Sequence, residues 1–185
     1  MTLGSAFQET LGAARVGAEW AWTEIYRDLA PAVLGYLRSR GADDPEDLLA
    51  EVFLQAVKGL PRFSGDERDF RTWVLAIAHR RMVDSYRRKT RLLESSGSLG
   101  EVLARADAGD VEHDGLTRIE AERAIGLIRQ LVPAQQEVIL LRLIADLTIE
   151  EIARVLGKRQ GAVKALQRRG LAALRKKLSE TGVPL

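Results

Sequence analysis

Apolar residues recur at steps of three or four along most of the chain and nowhere alternate persuasively with period two, a pattern that predicts helices and no strands. Residues 7–14 and 20–39 carry the first stripes, the second running through Trp22, Ile25, Tyr26, Leu29, Val33, Leu34 and Leu37. Pro31 falls inside it and is predicted to bend or restart the helix. Asp44 before Pro45 is a helix start signal, and Leu48, Leu49, Val52, Phe53, Ala56 and Val57 then form one stripe as far as Lys58. Gly59-Leu60-Pro61 and the polar run RFSGDERD follow. The next helix is predicted from Phe70 to Arg91, apolar at first through Phe70, Trp73, Val74 and Ile77, then crowded with Arg80, Arg81, Arg87, Arg88, Lys89 and Arg91. Six cations exceed what a helix dipole needs. Trp20, Trp22 and Trp73 are expected in the core, and Phe63 is expected to pin the polar loop to the helices.

From Leu92 to Gly115 the pattern lapses into Ser, Gly and acidic residues, with only a short helix foreseen near Leu99 to Ala106. Periodicity returns over Leu116 to Leu131, breaks at Pro133 and resumes over Gln135 to Leu143. The stretch Leu147 to Lys177 then reads as two helices around a glycine turn. Thr148 with Glu151 three residues on is a capping-box pattern, Ile149, Ile152, Ala153 and Leu156 form a stripe, and Gly157 can end the helix with positive φ. That is helix-turn-helix grammar. The fold class expected is all-α: two small helical domains, residues 1–92 and 118–185, joined by a flexible acidic linker, 93–117.

Charge sharpens this division. The net charge of +2 conceals +1 over residues 1–92, −5 over 93–117 and +6 over 118–185. Between Arg154 and Lys177 nine basic residues occur with no acidic one, the footprint of a polyanion partner. Cysteine is absent, which excludes disulfides and thiolate zinc sites in this chain. The N-terminus lacks a basic segment followed by an apolar run, and no uncharged apolar stretch approaches 18 residues. A cytoplasmic protein without membrane insertion is expected.

Catalytic chemistry finds no support. His79 and His113 lie in different segments, and His79, beside Arg80 and Arg81, is expected at the surface or facing nucleic acid. The acidic run Asp43, Asp44, Glu46 and Asp47 has the ordinary reading of a helix first turn. There is no phosphate-binding glycine loop and no nucleophile elbow. No enzyme activity, cofactor, metal or small-molecule substrate is expected. In the last helix, spacing at 100° puts Val163, Leu166, Gly170 and Leu174 inward and leaves Gln160, Lys164 and Arg168 as an exposed stripe. These are side-chain types that read base edges in the major groove. Lys158, Arg159, Arg169 and the run Arg175 to Lys177 are better suited to phosphate.

The block DPEDLLAEVFLQAVKGLPRFSGDERDFRTWVLAIAHRRMVDSYRRK, followed after the acidic linker by LVPAQQEVILLRLIADLTIEEIARVLGKRQGAVKALQRRGLAAL, closely resembles bacterial sigma factors of the extracytoplasmic-function group (group 4). The likeness spans Phe7 to Leu178. It implies a domain of the region 2 type that binds core RNA polymerase and melts the minus-ten element, and one of the region 4 type that reads the minus-35 duplex. Asp47, Leu48, Glu51, Leu54 and Gln55 match the family's polymerase-binding block. Arg62, Phe63, Ser64 and Asp66 lie in or beside the loop that captures an unstacked base. Arg80, Arg81, Arg87 and Arg88 match the helix that accompanies strand opening. Arg159, Gln160, Lys164, Gln167, Arg168 and Arg169 match the minus-35 reading segment. The linker would thread toward the polymerase active-site cleft or RNA exit path. Arg80 stands where many members carry asparagine, Arg159 where Ser or Pro is common, and Leu166-Gln167 replaces a more usual Arg-Leu pair. An end at Leu185 leads to the expectation of no C-terminal regulatory domain.

The resemblance further implies an anti-sigma partner that covers the polymerase-binding and DNA-binding faces, helped by a hinge-like linker. Two other readings remain: a stand-alone helix-turn-helix regulator with an N-terminal sensor or dimerisation domain, and a nucleic-acid enzyme with clustered carboxylates.

Overall fold

Helices form where the apolar stripes repeat. The computed structural model describes residues 4–96 and 115–180, and within them every regular element is helical. The α-helices are α1 (Phe7–Arg15), α2 (Glu19–Ser39), α3 (Pro45–Gly59), α4 (Glu67–Ser96), α5 (Gly115–Arg129), α6 (Pro133–Leu143), α7 (Ile149–Leu156) and α8 (Gln160–Glu180). The short helix foreseen at 99–106 and most of the acidic linker lie outside the described residues.

α1 to α4 pack around Leu11, Ile25, Val33, Leu37, Val52, Ala56, Phe70, Val74 and Ala78, all at most 4% exposed. α5 to α8 enclose Ile128, Val138, Ile139, Leu141, Leu147, Ile152 and Val163. Gly170 lets α8 approach α6 closely, since a Cβ there would stand 3.1 Å from Ile139 Cγ1. The two groups touch: α7 lies on α4, and α6 lies beside α2.

Caps set three helix starts, at Asp44, Asp66 and Thr148. Asp44 accepts from the Asp47 amide at 3.0 Å and opens α3. Thr148 and Glu151 make the full capping box, with the Glu151 amide donating to Thr148 Oγ1 at 3.3 Å and the Thr148 amide to Glu151 Oε2 at 2.6 Å. Gly157 ends α7 at φ 62°. The C-terminal carbonyls of α2 are reached from outside, by Arg129 Nη2 to Arg38 O at 3.0 Å.

Four expectations are corrected. α2 does not restart at Pro31, because Leu29, Ala30, Val33, Tyr36 and Leu37 are buried on both sides of it and hold one helix where a proline removes one donor. α4 begins at Glu67 rather than Phe70: Asp66 accepts from the Asp69 amide at 2.8 Å, so the polar run contains its own cap. Trp20 is 53% exposed; it lies two residues from Trp22, about 200° around the helix, and Trp22 takes the inward side, donating to Ala14 O at 3.1 Å. His79 is half-buried rather than free at the surface, with Nδ1 3.0 Å from the hydroxyl of the fully buried Tyr36.

Candidate nucleic-acid interface

The loop between α3 and α4 is set by aromatic packing. Phe63 lies 5.2 Å between centroids from both Phe70 and Trp73, and Phe70 continues the cluster to Phe7 at 5.8 Å. Phe63 therefore pins the loop, as expected, while its half-exposed ring and that of Trp73 stay accessible from outside. Gly59 is required beneath them, since a Cβ would meet Trp73 Cζ2 at 2.6 Å. Arg15 Nη2 donates to Phe63 O at 2.7 Å and ties the loop to α1.

Above these rings opens a cleft of about 960 Å³. Arg62, Phe63 and Ser64 come to it from the loop, Trp73, Arg80 and Arg81 from α4, and Arg154 from α7. Aromatic faces flanked by guanidinium groups suit an unpaired base and its backbone, through stacking and charge. Five of the predicted minus-ten residues thus converge: Arg62, Phe63, Ser64, Arg80 and Arg81. Asp66 does not line the cleft, because its carboxylate caps α4. Arg87 and Arg88 lie farther along α4, about 10 Å from Arg80 at 1.5 Å per residue; Arg87 borders a shallow hollow with Tyr86 and Thr90.

Trp73 and Arg154 are among the cleft residues that the sequence did not point to. Trp73 reads as core from its helical spacing, and Arg154 sits in the other half of the chain. Nothing in the sequence joins Arg154 to the loop; the packing of α7 on α4 does so.

Of the predicted polymerase-binding set on α3, Asp47, Leu54 and Gln55 are exposed, Glu51 is half-buried, and Leu48, at 5% exposed, points into the core and supports the face from beneath. Arg81 links this face to the cleft, donating to Gln55 Oε1 at 3.1 Å and standing 3.7 Å from Glu51. Leu54 and Val57 join Tyr26 in an exposed apolar hollow.

In α8 the predicted geometry is realised: Val163 and Gly170 are buried, Leu166 and Leu174 partly so, and Gln160, Lys164 and Arg168 form an exposed stripe. Arg159 and Arg169 are exposed beside it and Gln167 is half-buried.

The start of α4 is joined to α7 by two ion pairs. Arg68 donates through Nε and Nη2 to Glu151 at 2.9 and 3.1 Å, and Arg154 donates to Asp69 at 2.6 Å. Burial pushes the Glu151 carboxyl up, but hydrogen bonds from Arg68 and Thr148 outweigh it and bring it down to about 2. The Arg154 hydrogen bond likewise holds Asp69 below the usual carboxylate range. At the other contact, Arg40, which follows α2, donates to Gln136 at 2.7 Å and Glu137 at 3.1 Å, both of α6. Among the described residues no His, Asp or Glu cluster is arranged to hold a metal ion, and no helix is long and apolar enough to cross a membrane.

Comparison with known proteins finds two family matches along the chain. Sigma-70 region 2 matches residues 25–92, and Sigma-70, region 4 matches residues 127–176. The ECF RNA polymerase sigma factor BldN of Streptomyces coelicolor is 32% identical over 178 residues, covering 93% of this chain and 66% of BldN. ShbA of Streptomyces griseus, also an ECF RNA polymerase sigma factor, is 31% identical over 168 residues, covering 86% of this chain and 88% of ShbA. Among solved structures, CnrH in complex with the cytosolic domain of CnrY is 26% identical and superposes with a TM-score of 0.69, covering 95% of this chain and 99% of CnrH. With both regions matched in order and two such relatives more than 30% identical, the chain belongs to the ECF RNA polymerase sigma factors, which direct transcription initiation.

Proposed function

We propose that this chain, as a group 4 sigma factor, binds core RNA polymerase through the exposed part of α3 and brings it to promoters that it reads at two places. The cleft takes an unstacked minus-ten base against Phe63 and Trp73, with Arg62, Arg80 and Arg81 on the adjoining phosphates and Arg87 and Arg88 following the strand. The α8 stripe, Gln160, Lys164 and Arg168, reads the minus-35 duplex, with Arg159, Gln167 and Arg169 at its margins. Asp47, Glu51, Leu54 and Gln55 form the polymerase contact over the apolar hollow beside Tyr26.

The observation that carries this reading is the cleft itself: two aromatic faces and three arginines drawn together from a loop and a helix. Opening a duplex loses stacking and pairing, and only a surface that offers both to the freed base compensates for it. No cofactor or small-molecule substrate enters this scheme, which operates in the cytoplasm. A protein inhibitor fits it as well, since CnrH is bound by the cytosolic domain of another protein, and an anti-sigma factor would cover the α3 face and the α8 stripe.

Run-off transcription with reconstituted polymerase over a promoter library tests the proposal. Transcripts from a defined pair of minus-ten and minus-35 sequences, dependent on this chain, are the expected result. Tight, symmetric protection of an operator by the isolated chain, with no transcripts, would establish a stand-alone regulator instead.

A further inference from the structure

The loop that carries Phe63 to the cleft is gripped from outside it by α1, which lies ahead of the residues 25–92 that match region 2. Phe7, Leu11 and Ala14 are buried and seat α1 on the bundle, and the ring of Phe7 meets Phe70 at 5.8 Å. Gln8 and Arg15, seven residues apart, share another side of the helix. Both are exposed, and both reach loop carbonyls: Arg15 Nη2 donates to Phe63 O at 2.7 Å and Gln8 Nε2 to Gly65 O at 3.5 Å. Ahead of α1, the Gly4 amide donates to Glu67 Oε2 at 2.9 Å. Contacts at positions 63, 65 and 67 thus follow the loop to the first residue of α4.

A cation in the last turn of α1 already suits the helix dipole. Arg15 does more, because its donor goes to another segment. The Phe63 amide donates to Leu60 O at 3.1 Å, so with Arg15 on the carbonyl both backbone polar groups of Phe63 are fixed. Gly65, at φ 151°, packs the loop onto the ring: a Cβ there would stand 3.2 Å from Phe63 Cζ and 2.7 Å from Asp69 Cβ. Phe63 and Ser64 line the cleft, whereas Arg15 and Gln8 do not. Whatever Arg15 contributes to the cleft passes through the loop backbone.

Resting on the base capture proposed above, we infer that Arg15, with Gln8 as its weaker companion, is a positioning residue for that capture. It holds the loop in the shape that receives the base before the base arrives. A loop already ordered loses little conformational freedom on binding, so the gain appears only when a base enters the cleft. Duplex reading by α8 gains nothing from it.

The test uses the full chain assembled with core polymerase and a premelted promoter from the run-off library, its bubble covering the minus-ten element. Copies of this probe carry one abasic site, moved through the bubble of the nontemplate strand. The site whose loss costs the most affinity marks the captured base. Arg15→Met keeps the length of the stem and removes the donors. It should weaken binding of the intact probe about tenfold, as for one lost hydrogen bond. Binding of the probe that lacks the captured base should not change, so the abasic penalty shrinks by the same factor. Arg15→Lys, which keeps one charged donor, should recover part of the loss. Unchanged retardation of a minus-35 duplex and unchanged circular dichroism show that each variant is folded.

An abasic penalty as large in Arg15→Met as in the unmutated chain overturns the positioning role. Equal weakening of both probes with a shallower salt dependence overturns it too, and makes Arg15 a phosphate contact. If no abasic site weakens the unmutated complex, base capture itself fails, and the role of Arg15 with it.

Discussion

The base cleft and the α8 stripe both present cations to DNA, yet they are constructed in opposite ways. The stripe belongs to one helix: Gln160, Lys164 and Arg168 follow at steps of four, and burial of Val163 and Gly170 is enough to turn them outward. The cleft belongs to no single element. Its rings are held by each other, by Phe70 beneath and by the absence of a side chain at Gly59, while its arginines come from a loop, from adjacent positions of α4 and from α7. A surface that reads an intact duplex needs only a regular ladder of side chains matching the groove. One that captures an extruded base needs a preformed cavity, and a cavity needs tertiary packing.

The largest expected effect comes from removing that packing. Phe70 is 2% exposed and touches Phe7, Phe63 and Trp73. Phe70→Ala should cost about 3–5 kcal/mol, a fall in melting temperature on the order of 10 °C. Minus-ten capture should be lost with it, whereas binding of a minus-35 duplex should survive, because the core around Val138, Ile139 and Ile152 is built from other helices. Thermal denaturation and a duplex retardation assay on the same preparation decide this. Equal loss of both activities would mean that the two surfaces depend on one cooperative unit.

The reverse experiment removes one stripe residue and leaves the fold intact. Lys164 is exposed on α8, so Lys164→Ala should leave the melting temperature unchanged within a degree or two. Discrimination among minus-35 sequences should fall about tenfold, since one base contact contributes about 1–3 kcal/mol. Minus-ten preference should not move. A promoter-library selection in which minus-35 preference is untouched would remove Lys164 from the reading set.

The same difference explains what the sequence disclosed. Helix existence, the capping box at Thr148, the αL glycine at Gly157 and the outward face of α8 are local properties, and each is legible from residues within one or two turns. The resemblance to sigma factors carried Arg62, Phe63 and Ser64 to the cleft, which periodicity alone could not do. Trp73 was hidden because a tryptophan that floors a cavity has the spacing of one that fills a core. Arg154 was hidden because its partner Asp69 lies 85 residues away. The Asp66 cap of α4 stood in the sequence, but a run of six polar residues around it resembles a loop until the amide of Asp69 is seen to close on it. As a restart signal Pro31 misled, because a local cost was overridden by burial on both sides.

The smallest effect separates the two contacts that join the halves of the chain. The α4–α7 ion pairs hold no group that titrates near neutrality, whereas His79 lies near the Arg40–Glu137 contact. Tyr36 of α2, Arg40 just after it, Arg80 of α4, Glu137 of α6 and Lys158 after α7 bear on it. Burial, with the nearby Arg40, Lys158 and Arg80, lowers the imidazole below its ordinary value, and Glu137 opposes this only in part. The neutral ring is therefore the form the fold favours. Stability is full above the unfolded value of 6.5 and falls as the pH drops through it toward the depressed folded value, because the unfolded chain takes up the proton first. The melting temperature should be lower at pH of about 5.5 than at about 7.5, and His79→Gln, which keeps a hydrogen-bonding group for Tyr36 but cannot titrate, should reduce that difference. A difference as large in His79→Gln as in the unmutated chain would place the pH response elsewhere and leave the α2–α6 contact, like the α4–α7 pairs, insensitive to acid in this range.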